Sequence, residues 1–457
     1  MTISEELARF ITATHYSDLP EEIIYQAKLC ILDWIGATLA GAKEKSIQIL
    51  LKVLRGNSEN SDCTIIGIGE KSSCLNAAII NGSMSYAVKL DQSSPLGSMI
   101  HPQPPMIPAA LSIAEMERLN GKEFTCAVVL GFEVEARVAM AINPSHMGER
   151  GFHTTGTCGT FGAAAAAGKL LNLKKEQMAH AFGIAGTQAA GLIASLGTDS
   201  RSLHAGKAAY NGTLAAMLAN KGFTGSFEIF EGNGGFCRAM ANSFDLSKII
   251  EGLGEKYLIN EQRFVRYVTC GAMHAAIDGV IELRKTHGFQ PDDIELIDAR
   301  VFPITLDLCG KIQEPQTFSE AQFSLPFALA IAAVDGEVSI RQLTEKRLKD
   351  PRVLNLAKKV RASVDPEFMS AGYTGSESFY QSAKVKIKIK NGKEFYKRID
   401  LPKGSPQNPF SKEEILEKFY SLASLVLSKS KIENIIENLE NIEKLNDIRK
   451  LINFMVP

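Results

Sequence analysis

The sequence has no excess of charge of either sign. Its 457 residues carry 50 Lys and Arg against 51 Asp and Glu, a formal net charge of −1. That balance gives no electrostatic footprint for nucleic acid and no acidic solvating tail. It has no C-x-x-C pair: the eight cysteines are Cys30, Cys63, Cys74, Cys126, Cys158, Cys237, Cys270 and Cys309, each standing singly in an apolar or small-residue segment. Buried free thiols are therefore expected rather than a disulfide framework. The first residues, MTISEELARF, are acidic and do not form the basic-then-apolar leader of a secreted chain, so a cytoplasmic location is expected. The small-apolar stretches Gly159–Leu171 and Gly183–Leu196 fall short of the roughly 20 residues of a membrane span, so they predict packed core helices and no membrane association.

Cofactor signatures are missing as well. The eight histidines include no H-E-x-x-H and no pair at helical spacing, so no metal site is predicted. GIGEKS at Gly67–Ser72 lacks the third glycine and the βαβ setting of a dinucleotide loop and reads as a turn before a helix. GNGG at Gly232–Gly235 is also a turn, and no Walker A sequence occurs. No cofactor is called for.

What is present is helical periodicity. Leu7, Phe10 and Ile11, then Ile23, Ile24, Ala27, Ile31 and Ile35, recur at the spacing of one helix face. Helices are further predicted over Ser73–Leu90, Pro108–Leu119, Glu123–Met140, Gly159–Leu171, Lys174–Ala190 and His204–Lys221. Loops are predicted over Ser94–Pro108, which carries five prolines, over Asn143–Thr157 and over Gly197–Ser202. The first 260 or so residues thus read as all-α. Near Tyr267 the pattern changes. Ile294–Ile304 and Ala383–Ile389 alternate at period two, and Asn391–Gly392 supplies a hairpin turn before Phe395–Ile399. Helices are expected between them at Phe318–Val334 and Ser339–Leu348, and after them at Ser411–Leu427 and Lys429–Ile452, with Ser411 and Glu414 as a capping box. The predicted architecture is mainly α: a helical domain over 1–266, an inserted smaller α+β domain over 267–402, and a return to the helical domain over 403–457.

Four segments carry candidate chemistry. GFHTTGTCGTFGAAAA opens a helix whose free N–H groups suit a carboxylate, with His153 just before it. The segment alone leaves two roles open for His153, a core histidine tying down a loop or an acid–base group. IHPQPP holds His101 in a proline-stiffened loop, and KLDQSSP presents Asp91 as a lone carboxylate after a helix. SRSLHAGKAA places Arg201, His204 and Lys207 together; Arg201 suits a bidentate grip on a carboxylate, or a plain surface ion pair.

Taken in order, the segments resemble the MmgE/PrpD family, whose members include 2-methylcitrate dehydratase, cis-aconitate decarboxylase and iminodisuccinate epimerase. The carriers are HP at His101–Pro102, GFEVEAR at Gly131–Arg137, GFHTTGTCGTFGAA at Gly151–Ala164, LHAGKAAYNG at Leu203–Gly212 and GFTG at Gly222–Gly225. CGAMHAAID at Cys270–Asp278, EAQFSLPFALA at Glu320–Ala330 and LPKGSPQNPFSKEEILEKF at Leu401–Phe419 complete them. The resemblance implies a helical body with an α+β lid, a site between the two, a homodimer without a cofactor, and proton movement beside a carboxylate of a small polycarboxylate. Carried over by position, it implies catalytic roles for His153, His101 and Asp91. It implies substrate contacts from Arg201, His204, Lys207, Thr154, Tyr267 and His274.

The departures from the family pattern are specific. Ser93 and Ser94 replace two acids, Val88 a histidine, Arg201 and Val265 two lysines, and Phe327 a tyrosine. Arginine keeps the charge but does not give up its proton at working pH, and Val265 removes a cation. These changes predict a substrate less negative than 2-methylcitrate or cis-aconitate, or a different reaction. The leading expectation is a dehydratase-type lyase. Epimerisation, decarboxylation and a non-catalytic binding role with an eroded site are the alternatives.

Overall fold

A computed structural model describes residues 1–55, 62–90, 97–370 and 382–457. The chain divides into two units, Met1–Gln262 with Ser411–Pro457, and Arg263–Phe410.

The first unit is helical. It contains α1 (Ile3–Ala13), α2 (Glu21–Gly41), α3 (Lys45–Leu54), α4 (Cys74–Ala87), α5 (Gln103–Met116), α6 (Gly121–Ile142), α7 (Thr154–Leu170), α8 (Lys175–Gly186) and α9 (Ser200–Asn220), then the short α10 (Phe236–Met240) and α11 (Ser247–Ile250). One exception to the all-α expectation is the two-residue hairpin β1 (Cys63–Thr64) and β2 (Lys71–Ser72), which GIGEKS helps to turn. All eight cysteines are buried and free.

The centre of this unit is built from small residues. An added Cβ at Gly206 of α9 would run into Ser83 and the Ile79 carbonyl of α4. One at Gly212 would run into Thr160 and Ala164 of α7, and one at Gly159 of α7 into Pro105 of α5. Helices α4, α5, α7 and α9 therefore pack backbone against backbone, which only Gly and Ala faces permit. This close packing brings the end of α4 and the starts of α5, α7 and α9 to one place.

Several predicted loops are shorter than expected, for a common reason. Helix α5 begins at Gln103, inside the expected Ser94–Pro108 loop, because Pro104 and Pro105 lie in its first turn, where the proline's missing N–H has no intrahelical acceptor to lose. Helix α7 begins at Thr154 rather than Gly159, after a π-helical turn at Ser145–Glu149, and α9 begins at Ser200 rather than His204. Packing holds these first turns, TTGT in α7 and SRSL in α9, helical where local propensity does not. Conversely, Gly183–Leu196 is not one core helix: α8 ends at Gly186. Helix α2 is apolar and long enough to span a bilayer by length and composition, but most of it is buried within the protein.

The second unit contains α12 (His274–His287), β3 (Ile294–Val301), α13 (Pro303–Cys309), α14 (Phe318–Ala321), α15 (Leu325–Asp335), α16 (Glu345–Leu348), α17 (Pro351–Ala357), β4 (Val360–Val364), α18 (Pro366–Ser370), β5 (Ala383–Ile389) and β6 (Glu394–Ile399). Its sheet runs β4-β3-β5-β6, with β3 and β4 parallel and the other pairs antiparallel. Ala383, Val385, Ile387 and Ile389 point inward while the intervening lysines point out, and α12 packs against β5 and β6. The Asn391–Gly392 turn is present, with Gly392 at φ +86°. The sequence reading missed β4, whose single fully inward residue is Val360 and whose partner β3 lies far off in the chain. The expected helix Phe318–Val334 is interrupted at Gln322–Ser324, where Ser324 caps α15. Only Glu345–Leu348 of Ser339–Leu348 is helical.

The chain then returns to the helical unit with α19 (Lys412–Ala423), α20 (Lys429–Glu440) and α21 (Arg449–Ile452). Ser411 and Glu414 form the expected capping box. The expected helix Lys429–Ile452 instead breaks after Glu440.

Candidate active site

His153 occupies the cap position of α7 with extended backbone, φ −89° and ψ 102°. Its N–H donates to the Gly191 carbonyl at 3.0 Å, and its own carbonyl accepts from the N–H groups of Gly156 and Thr157 at 2.9 and 3.2 Å. The ring is thereby fixed and buried. Gly191 lies in ordinary contact with His153 and His204, and its φ of +149° is a backbone conformation that residues with a Cβ rarely adopt.

Both nitrogens of the His153 ring are engaged. Nε2 lies 3.1 Å from the Tyr86 hydroxyl, and Nδ1 lies 2.9 Å from Nδ1 of His204. Tyr86 is in the last turn of α4 and is fully buried. The Arg201 guanidinium stands over its ring, 3.6 Å from the centroid, and donates to the Tyr86 carbonyl at 2.7 Å. Arg201 is therefore a buried group that caps α4 and stacks on a phenol, not a surface ion pair. The His101 ring stands edge-on to Tyr86 at 5.3 Å, and its backbone N–H donates to Thr155 Oγ1 at 3.0 Å. Lys89 is buried, adopts the left-handed conformation (φ 55°), and brings its ammonium to 5.8 Å from the Tyr86 centroid.

The electrostatics follow from this arrangement. Burial pushes the His153 pKa well below the ordinary histidine value, and His204, Arg201, His101 and Lys89 push it the same way. Burial and then Arg201 lower that of His204. At neutral pH the two histidines are neutral rings among fixed cations. With the first turns of α5, α7 and α9 nearby, the surroundings favour an anion.

Of the other expected residues, Thr154 is buried and its hydroxyl accepts from Asn143 Nδ2 at 3.3 Å. Lys207 is exposed and lies over the Tyr210 ring, 4.8 Å from its centroid. Tyr267 and His274 belong to the second unit. There their rings meet edge-on at 5.1 Å, the Tyr267 hydroxyl donates to Asp278, and His274 Nε2 lies 3.3 Å from the Thr269 carbonyl. Val265 and Phe327 are buried in the same unit. Asp91, Ser93 and Ser94 lie outside the described residues.

The sequence reading missed Tyr86 and Lys89. Tyr86 is the single aromatic in a helix rich in small residues, and Lys89 is a charge inside a buried stretch. Either could have been flagged on that ground.

The sequence model of the MmgE/PrpD N-terminal domain matches residues 5–249, and that of the MmgE/PrpD C-terminal domain matches 267–444. Cis-aconitate decarboxylase from Aspergillus terreus is 27% identical over 474 residues, covering 99% of this chain and 96% of that protein. The human cis-aconitate decarboxylase is 26% identical over 461 residues, covering 98% and 93%. A cis-aconitate decarboxylase-like protein, oryM, from Aspergillus oryzae is 26% identical over 473 residues, covering 98% and 96%. The two domain matches together take in most of the chain, which belongs to the MmgE/PrpD family.

Proposed function

We propose that this protein is a lyase that breaks a bond beside a carboxylate of a small polycarboxylic acid, with Tyr86, His153 and His101 handling the proton and Arg201 and Lys89 holding the anion. The observation that carries the reading is the buried phenol–imidazole contact of Tyr86 and His153, ringed by two fixed cations. Both lyase reactions of the family place negative charge on a carbon beside a carboxylate. Fixed cations in a buried site stabilise such charge, and a neutral imidazole with a phenol is a competent acid–base pair.

The names of the relatives put decarboxylation ahead of dehydration. In that reaction the C–C bond to one carboxylate breaks and CO₂ leaves. The electron pair stays on the substrate, delocalised towards a remaining carboxylate, and a proton then closes the C–H bond. Lys89 supplies a cation beyond those expected from the family pattern. It weighs against the idea that the substrate must be less charged than cis-aconitate.

The test is incubation of the purified protein with cis-aconitate and, separately, with 2-methylcitrate in D₂O, followed by NMR. The expected result is loss of CO₂ from cis-aconitate with one deuterium placed on carbon, and a fall of about 10²–10⁴-fold in His153→Ala. Loss of water from 2-methylcitrate instead would make the protein a dehydratase. Measurable binding of either acid with neither turnover nor exchange would sink the lyase reading in favour of a binding homologue.

A further inference from the structure

The contacts of His153 raise a question that the lyase reading leaves open. A histidine whose two nitrogens are both engaged by side chains has no lone pair or N–H left over for a substrate. Nε2 faces Tyr86 and Nδ1 faces His204. The two ends of this chain differ. Tyr86 is fully buried, with Arg201, Lys89 and His101 gathered round its ring. His204 is half-buried, the fifth residue of α9.

We propose that Tyr86, His153 and His204 form a single proton relay, in which Tyr86 meets the reacting carbon, His153 passes the proton, and His204 exchanges it with solvent. This rests on the lyase reading and names the group that would touch the substrate.

An Nδ1–Nδ1 hydrogen bond needs one protonated and one bare nitrogen, and this fixes the states the chain can take. In the resting state the Tyr86 O–H donates to His153 Nε2, His153 Nδ1–H donates to His204 Nδ1, and His204 keeps its proton on Nε2. Every member is neutral, in keeping with the lowered basicity that burial gives both rings. When the chain takes a proton from substrate carbon, the C–H bond breaks and a new O–H forms on Tyr86. The original phenol proton moves to His153 Nε2, and the Nδ1 proton of His153 moves to His204 Nδ1. The substrate keeps the electron pair, and His204 becomes an imidazolium that releases its Nε2 proton to water. Delivery to a carbanion is the reverse and starts from the state that abstraction leaves, with His153 protonated on Nε2 and His204 on Nδ1: the bare Nε2 of His204 takes a proton from water, Tyr86 gives its proton to carbon, and the two shifts along the chain restore the resting tautomers. Positive charge thus resides on the half-buried ring and never on the fully enclosed one, where it would face Lys89, Arg201 and His101. His153 and His204 are positioning residues on this account, and Tyr86 is the catalytic one.

Two measurements test the relay. The first needs no substrate: NMR of the intact protein with ¹⁵N-labelled histidine at neutral pH. The expected result is a coupling between the two Nδ1 nuclei, with His153 protonated on Nδ1 and neither ring charged. Absence of that coupling, or a charged His153, overturns the relay. The second uses whichever acid the wild-type protein turns over. Tyr86→Phe is expected to lower kcat by about 10²-fold or more with little change in KM. His204→Ala is expected to lower kcat and to recover with added imidazole, which a merely structural histidine would not. Wild-type kcat in both variants overturns the relay and leaves the lyase reading standing. A wild-type protein that turns over no acid removes the lyase reading, and the NMR coupling then decides whether the proton chain exists.

Discussion

Tyr86 in the helical unit and Tyr267 in the sheet-containing unit are both buried, and the hydroxyl of each meets a titratable side chain. Around Tyr267 the partner is Asp278, whose other oxygen accepts from the Lys403 backbone N–H at 3.2 Å. Burial and then Asp278 raise the Tyr267 pKa well above the ordinary phenol value, and burial raises that of Asp278. Such a network is closed: donor and acceptor are matched, and a charge on the phenol is opposed. Around Tyr86, among the described residues, a neutral imidazole meets the hydroxyl, Arg201 and Lys89 bring positive charge to the ring, and the chain leads on to a half-buried second imidazole. The same residue type serves to hold structure in one unit and, on our reading, to move protons in the other. A cation, Arg266, also stands 5.8 Å from the Tyr267 centroid, so the hydrogen-bond partner and the open end make the difference, not the tyrosine.

The contrast is sharpest at Arg201. Arg201→Ala removes the cation over the phenol and the donor to the Tyr86 carbonyl, and is expected to lower kcat/KM by about 10–100-fold, the worth of a charge-assisted hydrogen bond. Arg201→Lys should recover part of this through KM. Equal activity in Arg201→Ala and the wild type would show that the cations round Tyr86 do not serve catalysis, and the comparison would fail.

His146 offers a second test within the helical unit. It is as buried as His153, but its nitrogens are tied to the Met240 carbonyl at 2.9 Å and to Thr157 Oγ1 at 2.8 Å. Burial lowers its pKa from 6.5 to about 4. Its folded pKa lies below its unfolded one, so its contribution is intact above pH 6.5 and is lost as pH falls towards 4, where only the unfolded chain takes the proton. Urea unfolding at pH 7 and pH 4.5 should show this as about 2–3 kcal/mol of acid destabilisation. In His146→Gln the loss of stability between the two pH values should be smaller by about that amount. An equal loss in the variant would assign the acid sensitivity to other groups, His153 and His204 first.

Tyr267→Phe carries the smallest expected effect. Removing a donor from a matched buried pair should cost about 1–2 kcal/mol of stability. Turnover by the folded variant should stay close to the wild type, as read from urea unfolding beside steady-state rates. A large fall in turnover without a matching loss of stability would make Tyr267 the substrate contact that the family resemblance implies, and would erase the contrast between the two tyrosines.

Much of the fold was legible in the chain. Period-two alternation with Asn391–Gly392 located β5, its turn and β6, because strand geometry and a left-handed glycine leave a local signature. The capping box at Ser411 was legible for the same reason. Helix starts at Gln103, Thr154 and Ser200 were not, since Pro-, Thr- and Gly-rich turns look like loops until packing against α4 and α7 holds them. Strand β4 was missed because its partner is supplied by distant chain. In the site, His153, Arg201 and His204 were picked out before small-residue helices and His101 in a proline-stiffened loop, and the fold sets His153, His101 and Arg201 against Tyr86 and His204 against His153. Lys207 was picked out alongside them, but α9 turns it to solvent against Tyr210.

The sequence by itself determined the balance of charge, the run of Gly and Ala that lets four helices touch, and the histidines and arginine set at the edges of that run. These are local properties of composition and period. Only the tertiary structure decided that Tyr86 and Lys89 belong with them, and that His153 is joined on both sides. A hydrogen bond across 67 residues to Tyr86 and another across 51 residues to His204 leave no mark at any single position. Such contacts exist because small side chains on α4, α7 and α9 allow the backbones to close, and that closure is a property of three helices together.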